Sequence, residues 1–229
     1  MAARGKRYIE AAKKFDKTQE YPLDEAIALV KEMATAKFDE TVEMHFRLGI
    51  DPRHADQQVR STVMLPHGLG KKVTILVFAE GDAAKAAEDA GADIIADDEI
   101  IARIQNEGWL DFDAAVAVPQ MMGKVGRIAR ILGPRGLMPN PKAGTVVQPD
   151  DIGRVIEELK AGRVEFRNDK TANLHFPVGK ASFDLEKLQE NAQTAFDAVK
   201  AQEPSSLKGV YIRKMVVTST MGPGVRVSA

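Results

Sequence analysis

Pro66-His67-Gly68-Leu69-Gly70-Lys71-Lys72-Val73-Thr74-Ile75-Leu76-Val77-Phe78-Ala79 changes character halfway along, and that change decides how the chain is organised. Proline, glycines and lysines make the first half punctuation between elements. The second half, Val73–Ala79, is a nearly unbroken apolar run, as in a strand covered on both faces. Downstream, helical patterns at 82–90, 98–107, 125–132 and 149–160 alternate with strand patterns at 93–96 and 114–118. Strands alternating with helices predict a parallel sheet built from βαβ units.

Upstream the pattern differs. Helices are predicted at 4–15 and 22–33, with Pro22 suited to a first turn and Asp24 and Glu25 early, where the helix dipole favours acids. Thr41–Ile50 alternates cleanly. Val42, Met44, Phe46, Leu48 and Ile50 share one side, which predicts a strand buried on one face. Asp51-Pro52 ends it, and Val59–Leu65 alternates again, so these two strands are expected to pair. After Ala161-Gly162 the upstream character returns. Strands at 163–168 and 174–179 flank a turn, an amphipathic helix covers 184–200, and a long strand runs over 209–219. The economical reading is an α+β domain made from both chain ends, residues 1–67 and 160–229, interrupted by an α/β domain, 68–159.

Charge follows the same division. Residues 68–159 carry ten Lys and Arg against fifteen Asp and Glu, a net of −5, whereas the flanks carry +4; the whole 229-residue chain is −1. Within the middle, 80–113 is acidic, and 114–149 holds Lys124, Arg127, Arg130, Arg135 and Lys142 with no acid. Basic stretches of this kind attract polyanions, and are equally the solvated faces of ordinary helices. The absence of cysteine excludes disulfides, thiolate metal sites and cysteine nucleophiles. No apolar run approaches the roughly 20 residues of a membrane helix, and Met1–Lys6 leads into no secretory signal, so a cytoplasmic protein without membrane contact is expected.

Catalytic patterns are thin. His45, His54, His67 and His175 form no H-x-x-x-H pair, and no G-x-S-x-G, Walker or G-x-G-x-x-G arrangement occurs in the required context. No catalytic residue, metal or cofactor is expected. Other segments suit RNA. Lys37-Phe38-Asp39-Glu40-Thr41 offers a cation, an aromatic ring and a hydroxyl for phosphate, base and ribose 2′-OH. Arg167–Thr171 is a polar turn, and Thr218–Gly224 puts hydroxyls before a Gly-Pro-Gly bend. Each also has a plain structural reading: Phe38 as core, the turn as a solvated hairpin, the last segment as a frayed end. Gly133–Thr145, with three glycines and three prolines, is no regular helix or central strand.

Taken together, 37–43, Gly49-Ile50-Asp51-Pro52-Arg53, Leu65-Pro66-His67-Gly68, Ile131–Thr145 and Thr220-Met221-Gly222-Pro223 resemble the family of bacterial large-subunit (50S) ribosomal protein one, the ribosomal stalk proteins. Asn168-Asp169-Lys170, His175 and Gly179-Lys180 also fit it. The resemblance runs nearly end to end. It implies a split α+β sandwich that binds RNA and an inserted Rossmann-like α/β domain, for which no nucleotide is expected, because fold does not give function. It further implies a non-enzymatic ribosomal constituent that binds stalk ribosomal RNA, contacts deacylated exit-site tRNA, represses its own messenger RNA, and is a monomer off the ribosome. Carried over, Lys37 and Arg53 hold phosphates, Thr41 and Thr220 read 2′-OH groups, and Phe38 and Met221 give apolar contact. Gly222 permits close approach, and the turn Asn168, Asp169, Lys170, Thr171 joins the face with His175. The chain departs from the family pattern at Leu69, where threonine is usual, and at Ser61, Ala129 and Ala172, where glycine is usual. The short linkers at 66–71 and 160–163 predict a hinge. Two rivals remain at this point: a small α/β enzyme using the 133–144 loop, and an unspecific nucleic-acid chaperone.

Overall fold

The computed structural model describes residues 5–228; Arg4, where the first helix is expected to start, lies outside them. The chain divides into two compact units, one running to Gly70 and resuming at Val164, the other spanning Lys71–Arg163. Both junctions fall a few residues later than the sequence pattern suggests. Leu69 still packs against the core of the outer unit, and Arg163 is tied to Glu158 (2.8 Å) and to the carbonyl of Ala143 (2.9 Å) in the inner one.

The outer unit contains α1 (Lys6–Ala11), α2 (Leu23–Met33), β1 (Thr41–Leu48) and β2 (Arg60–Met64). The inner unit follows with β3 (Ile75–Phe78), α3 (Asp82–Asp89), β4 (Ile94–Ile95), α4 (Asp98–Glu107), β5 (Ala114–Ala117), α5 (Met122–Leu132) and α6 (Ile152–Ala161). Then come β6 (Arg163–Arg167), β7 (Asn173–Lys180), α7 (Leu185–Lys200), β8 (Ile212–Ser219) and β9 (Val225–Val227).

In the outer unit the main sheet has the order β7-β1-β8-β9, all antiparallel, with β1 between two strands from the far half of the chain. The alternation seen in the sequence holds: Val42, Met44, Phe46 and Leu48 are buried. Leu174, Phe176 and Val178 of β7 and Met215 and Val217 of β8 join them, under α2 and α7. Each such fully buried large side chain contributes about 1.5–3 kcal/mol over exposure. One polar clip crosses this core. The fully buried Asn191 amide donates to the carbonyls of Val178 (2.8 Å) and Gly68 (2.9 Å) and accepts from His67 N–H (3.1 Å), fixing α7 to β7 and to the start of the linker.

Two expectations about pairing fail. Residues 41–50 and 59–65 do not pair: both edges of β1 are occupied, by β7 and β8, and β2 forms a separate two-stranded sheet with β6. The strands on either side of the 168–172 turn therefore belong to different sheets, so the turn is no hairpin. Sequence neighbours usually pair, but here the closing strands arrive after the insertion. The C-terminal segment is also no frayed end, since β9 completes the sheet and Tyr21 N–H bonds to the Arg226 carbonyl at 3.0 Å.

In the inner unit the parallel sheet β4-β3-β5 has the fully buried β3 at its centre, as its apolar run requires. Helix α3 packs with α6, and α4 with α5. Asp97 caps α4 by accepting from Ile100 N–H (2.8 Å), and Gly108 closes it in the left-handed conformation. The Gly/Pro segment forms two short 3-10 turns, Gly133–Arg135 and Pro141–Ala143. It then returns to bond Ala117 on both sides, through the Thr145 carbonyl and the Val147 N–H.

Candidate nucleic-acid interface

With one face of the main sheet buried, the other presents alternate side chains outward: Thr41, Glu43, His45 and Arg47 on β1, flanked in register by His175 on β7 and Lys214 and Thr218 on β8. The site residues expected from sequence fall along this face and at its two ends. The ends are separated by the length of β1, roughly 23 Å at about 3.3 Å per residue.

At the first end, β1 and β8 lock through two threonines. Thr41 N–H donates to Thr220 Oγ1 (2.9 Å), Thr220 N–H donates to the Thr41 carbonyl (3.1 Å), and Lys180 Nζ donates to Thr41 Oγ1 (2.9 Å). Beneath them sits Glu40, only 2% exposed. One carboxylate oxygen accepts Ala36 N–H and the other accepts Met221 N–H, both at 2.9 Å. Burial works against the charge, but those two N–H groups, with the Arg7 guanidinium, outweigh it and hold the carboxyl below its ordinary range. Glu40 therefore fixes both the segment carrying Lys37 and Phe38 and the turn carrying Met221. Phe38 and Met221 are each 54% exposed, so neither is core and both are open for apolar contact. At Gly222 a β-carbon would stand 2.5 Å from Ser219 Oγ, which is itself buried, so the turn is drawn close only because no side chain is there.

Midway, His45 Nδ1 lies 2.9 Å from His175 Nδ1, with the rings edge to face at 5.0 Å. One ring must donate and the other accept, so the contact cannot survive protonation of both. His45 Nε2 is 3.6 Å from Glu43 and His175 Nε2 is 3.9 Å from Asp169. Burial, aided by the neighbouring His175, lowers the pKa of His45 against the pull of Glu43.

At the second end stand Arg53, exposed on the loop after β1, and the turn 168–172. Asp169 builds that turn from within. It accepts from Thr171 N–H (2.8 Å), Thr171 Oγ1 (2.8–2.9 Å), Asn173 N–H (2.7 Å) and Asn173 Nδ2 (3.2 Å). Burial opposes the charge, yet the Asn173 and Thr171 bonds bring its pKa down to about 2. Asn168 is likewise occupied, accepting from Val59 N–H (2.8 Å) and donating to the Asp169 carbonyl (3.0 Å). Lys170 and His175 point to solvent, while the Thr171 hydroxyl is partly committed to Asp169. Ala172, where a glycine is usual, adopts φ 64°, the left-handed region, and its carbonyl accepts Leu48 N–H (2.9 Å).

Of the residues expected from sequence, Lys37, Phe38, Thr41, Thr220, Met221 and Gly222 come together at one end. Arg53, Asn168, Asp169, Lys170 and Thr171 gather at the other, and His175 lies between. Sequence reading passed over Glu40, His45, Arg47 and Lys214. The alternation of 41–47 already put His45 and Arg47 on the solvent side, but nothing in the sequence marks Glu40 as buried.

The Ribosomal protein L1p/L10e family model matches residues 30–223. The large ribosomal subunit protein uL1 of Chloroflexus aggregans is 60% identical over 227 residues, covering 99% of this chain and 96% of that protein. The protein of the same name from Chloroflexus aurantiacus matches at the same identity and coverage. A match of this extent places the chain in the Ribosomal protein L1p/L10e family, whose members are structural rather than enzymatic.

Proposed function

We propose that this protein is a structural constituent of the large ribosomal subunit in the cytoplasm, binding the ribosomal RNA of the stalk through the open face of its main sheet. The relatives' name, large ribosomal subunit protein, supports the subunit. The observation that carries RNA binding is the end of β1, where the threonine pair Thr41–Thr220 sits beside the exposed side chains of Phe38 and Met221. Hydroxyls beside exposed apolar groups suit ribose edges and unstacked bases, which is how single-stranded and looped RNA is read. Lys37, Arg53 and Lys170 supply phosphate contacts, His175 lies between the two ends, and Thr171 closes the far turn. Asn168 and Asp169 shape that turn from inside.

The same reading includes assistance in release of deacylated tRNA from the exit site, and repression of the protein's own messenger RNA through an RNA shape similar to the ribosomal one. Messenger and ribosomal RNA then compete for one face; simultaneous binding of both defeats the repressor role. A hinge at the two linkers belongs to it as well, and small-angle scattering that shows the protein as one rigid compact shape both with and without RNA removes that part.

The test is affinity for a stalk fragment of large-subunit ribosomal RNA against a shuffled RNA of equal length, over a range of salt. Preference that persists at high salt supports readout of shape and 2′-OH groups. Equal, salt-labile binding to both leaves charge attraction alone and defeats the proposal.

A further inference from the structure

Beyond the C-terminal end of β1 lies a groove of about 740 Å³, walled by the loop 49–57, the turn 170–172 and the loop 206–213. Five cations line it, Arg47, Arg53, Lys170, Lys208 and Arg213, against one carboxylate, Asp51. All five are exposed, and among the described residues none has an acid within ion-pair distance. Other surface cations among the described residues lack carboxylate partners too, but these five converge on one concavity, whereas Lys14, Arg60, Lys71, Arg103, Lys124 and Arg163 each meet a carboxylate. Five like charges left uncompensated around one concavity repel each other in the free protein, and a bound polyanion removes that cost.

The groove is built into the backbone. The register of β1 with β8 slips between Arg47 and Leu48, where Lys214 faces Arg47 but Ile212 faces Leu48. Arg213 is the extra residue. In a regular strand Arg213 and Lys214 would point to opposite faces; here both are exposed, the re-aiming a β-bulge produces. Two walls are fastened to the end of β1. Gly49 N–H donates to the Tyr211 carbonyl (2.7 Å), and Leu48 N–H to that of Ala172. A β-carbon at Gly49 would run into the Val210 carbonyl, so the 206–211 loop closes on β1 only because residue 49 has no side chain.

We infer that this groove is a second RNA subsite, which grips the sugar-phosphate backbone of the stalk RNA through Arg47, Lys208 and Arg213 as well as Arg53 and Lys170. This rests on the RNA reading above and deepens it. The Thr41–Thr220 end reads ribose and base, and the groove, a strand length away, sets register and supplies affinity without regard to sequence. Neither Arg47, Lys208 nor Arg213 belongs to the set of contacts expected from the family resemblance.

The experiment uses the whole protein, the stalk RNA fragment and its shuffled counterpart, with affinities measured across salt. Removing one phosphate-binding cation lowers the slope of log affinity against log salt by about 0.7–0.9. The Lys208→Ala, Arg213→Ala double variant is expected to bind about tenfold more weakly, with the slope reduced by about 1–2, while the preference for stalk over shuffled RNA is kept. The Lys208→Arg, Arg213→Lys variant, which keeps the charges, should restore the slope. Wild-type affinity and slope in the alanine variant overturn the groove, as does weaker binding at an unchanged slope. Failure of the wild-type protein to prefer the stalk fragment overturns the parent reading instead.

Discussion

Glu40 and Met221 stand 181 residues apart in sequence, and the carboxylate of one accepts the main-chain N–H of the other at 2.9 Å. The second oxygen of Glu40 holds Ala36 N–H, so a single buried charge ties the two ends of the chain together under the exposed Phe38 and Met221.

Glu40→Gln leaves an amide NH₂ facing one of two N–H donors. Removing a charged acceptor and leaving a buried donor unpaired costs about 1–3 kcal/mol. Chemical denaturation at neutral pH is expected to show that loss, together with weaker binding of stalk RNA. The effect depends on pH. Because folding lowers the Glu40 pKa, its contribution is complete above the ordinary glutamate range and disappears as pH falls through the folded value. Wild type and variant should therefore converge in acid. A constant gap between them down to the lowest pH at which both fold would remove Glu40 as the source.

Gly222→Val is expected to weaken stalk RNA binding by about tenfold, roughly 1.4 kcal/mol, in a protein that stays folded. The valine must displace Ser219 Oγ and stand where the turn meets its partner. Unchanged affinity takes the 220–222 turn out of the site.

At Ala172 three effects nearly cancel on substitution by glycine. Relief of the left-handed conformation is worth about 1–2 kcal/mol, while the freer unfolded chain and the missing buried methyl return about 1–2. Ala172→Gly should unfold within about 1 kcal/mol of wild type. Ala172→Val, β-branched at a positive φ and buried, should lose more than about 2 kcal/mol. Equal melting of the valine variant and wild type would mean that the turn does not hold this conformation in solution.

Folding keeps His45 neutral, so protons bind more readily to the unfolded chain. Stability is full above the ordinary histidine range and is lost as pH falls below it toward the lowered folded value. His45→Gln should flatten this part of the stability profile between about pH 7 and 5. In the proposed complex RNA phosphate near this face would favour protonated His45, so affinity for the stalk fragment should rise as pH falls over the same interval. A profile identical in wild type and variant rules out His45 as the titrating group.

The sequence carried the organisation well where a pattern repeats. Val42, Met44, Phe46 and Leu48 betrayed a strand buried on one face, and the break at Pro66–Lys72 before Val73 marked where one fold gives way to another. It failed where partners are distant. Nothing between residues 41 and 65 says that β1 will be claimed on both edges by strands that arrive after residue 172. Val225–Val227 is too short to announce itself as a strand. Clusters of cation, ring and hydroxyl pointed to Lys37, Phe38 and Thr41, because chemistry of that kind is local. Glu40 looked like one more surface acid, since its partners, Ala36 and Met221, are main-chain groups that leave no trace in composition. The bulge that turns out Arg213 depends on a slip of register, which is a property of the pair β1 and β8 rather than of either strand.

The placement of β1 between β7 and β8 also sets an order of events during synthesis. The inner unit is complete once residue 163 has emerged, and can fold as the ribosome adds the remainder. The outer sheet cannot: β1 leaves early and waits unpaired until Asn173–Lys180 and then Ile212–Ser219 follow it. The face proposed to grip RNA is therefore assembled last, from the first and final segments together, and a chain interrupted before Ser219 carries neither the Thr41–Thr220 lock nor the Glu40–Met221 tie.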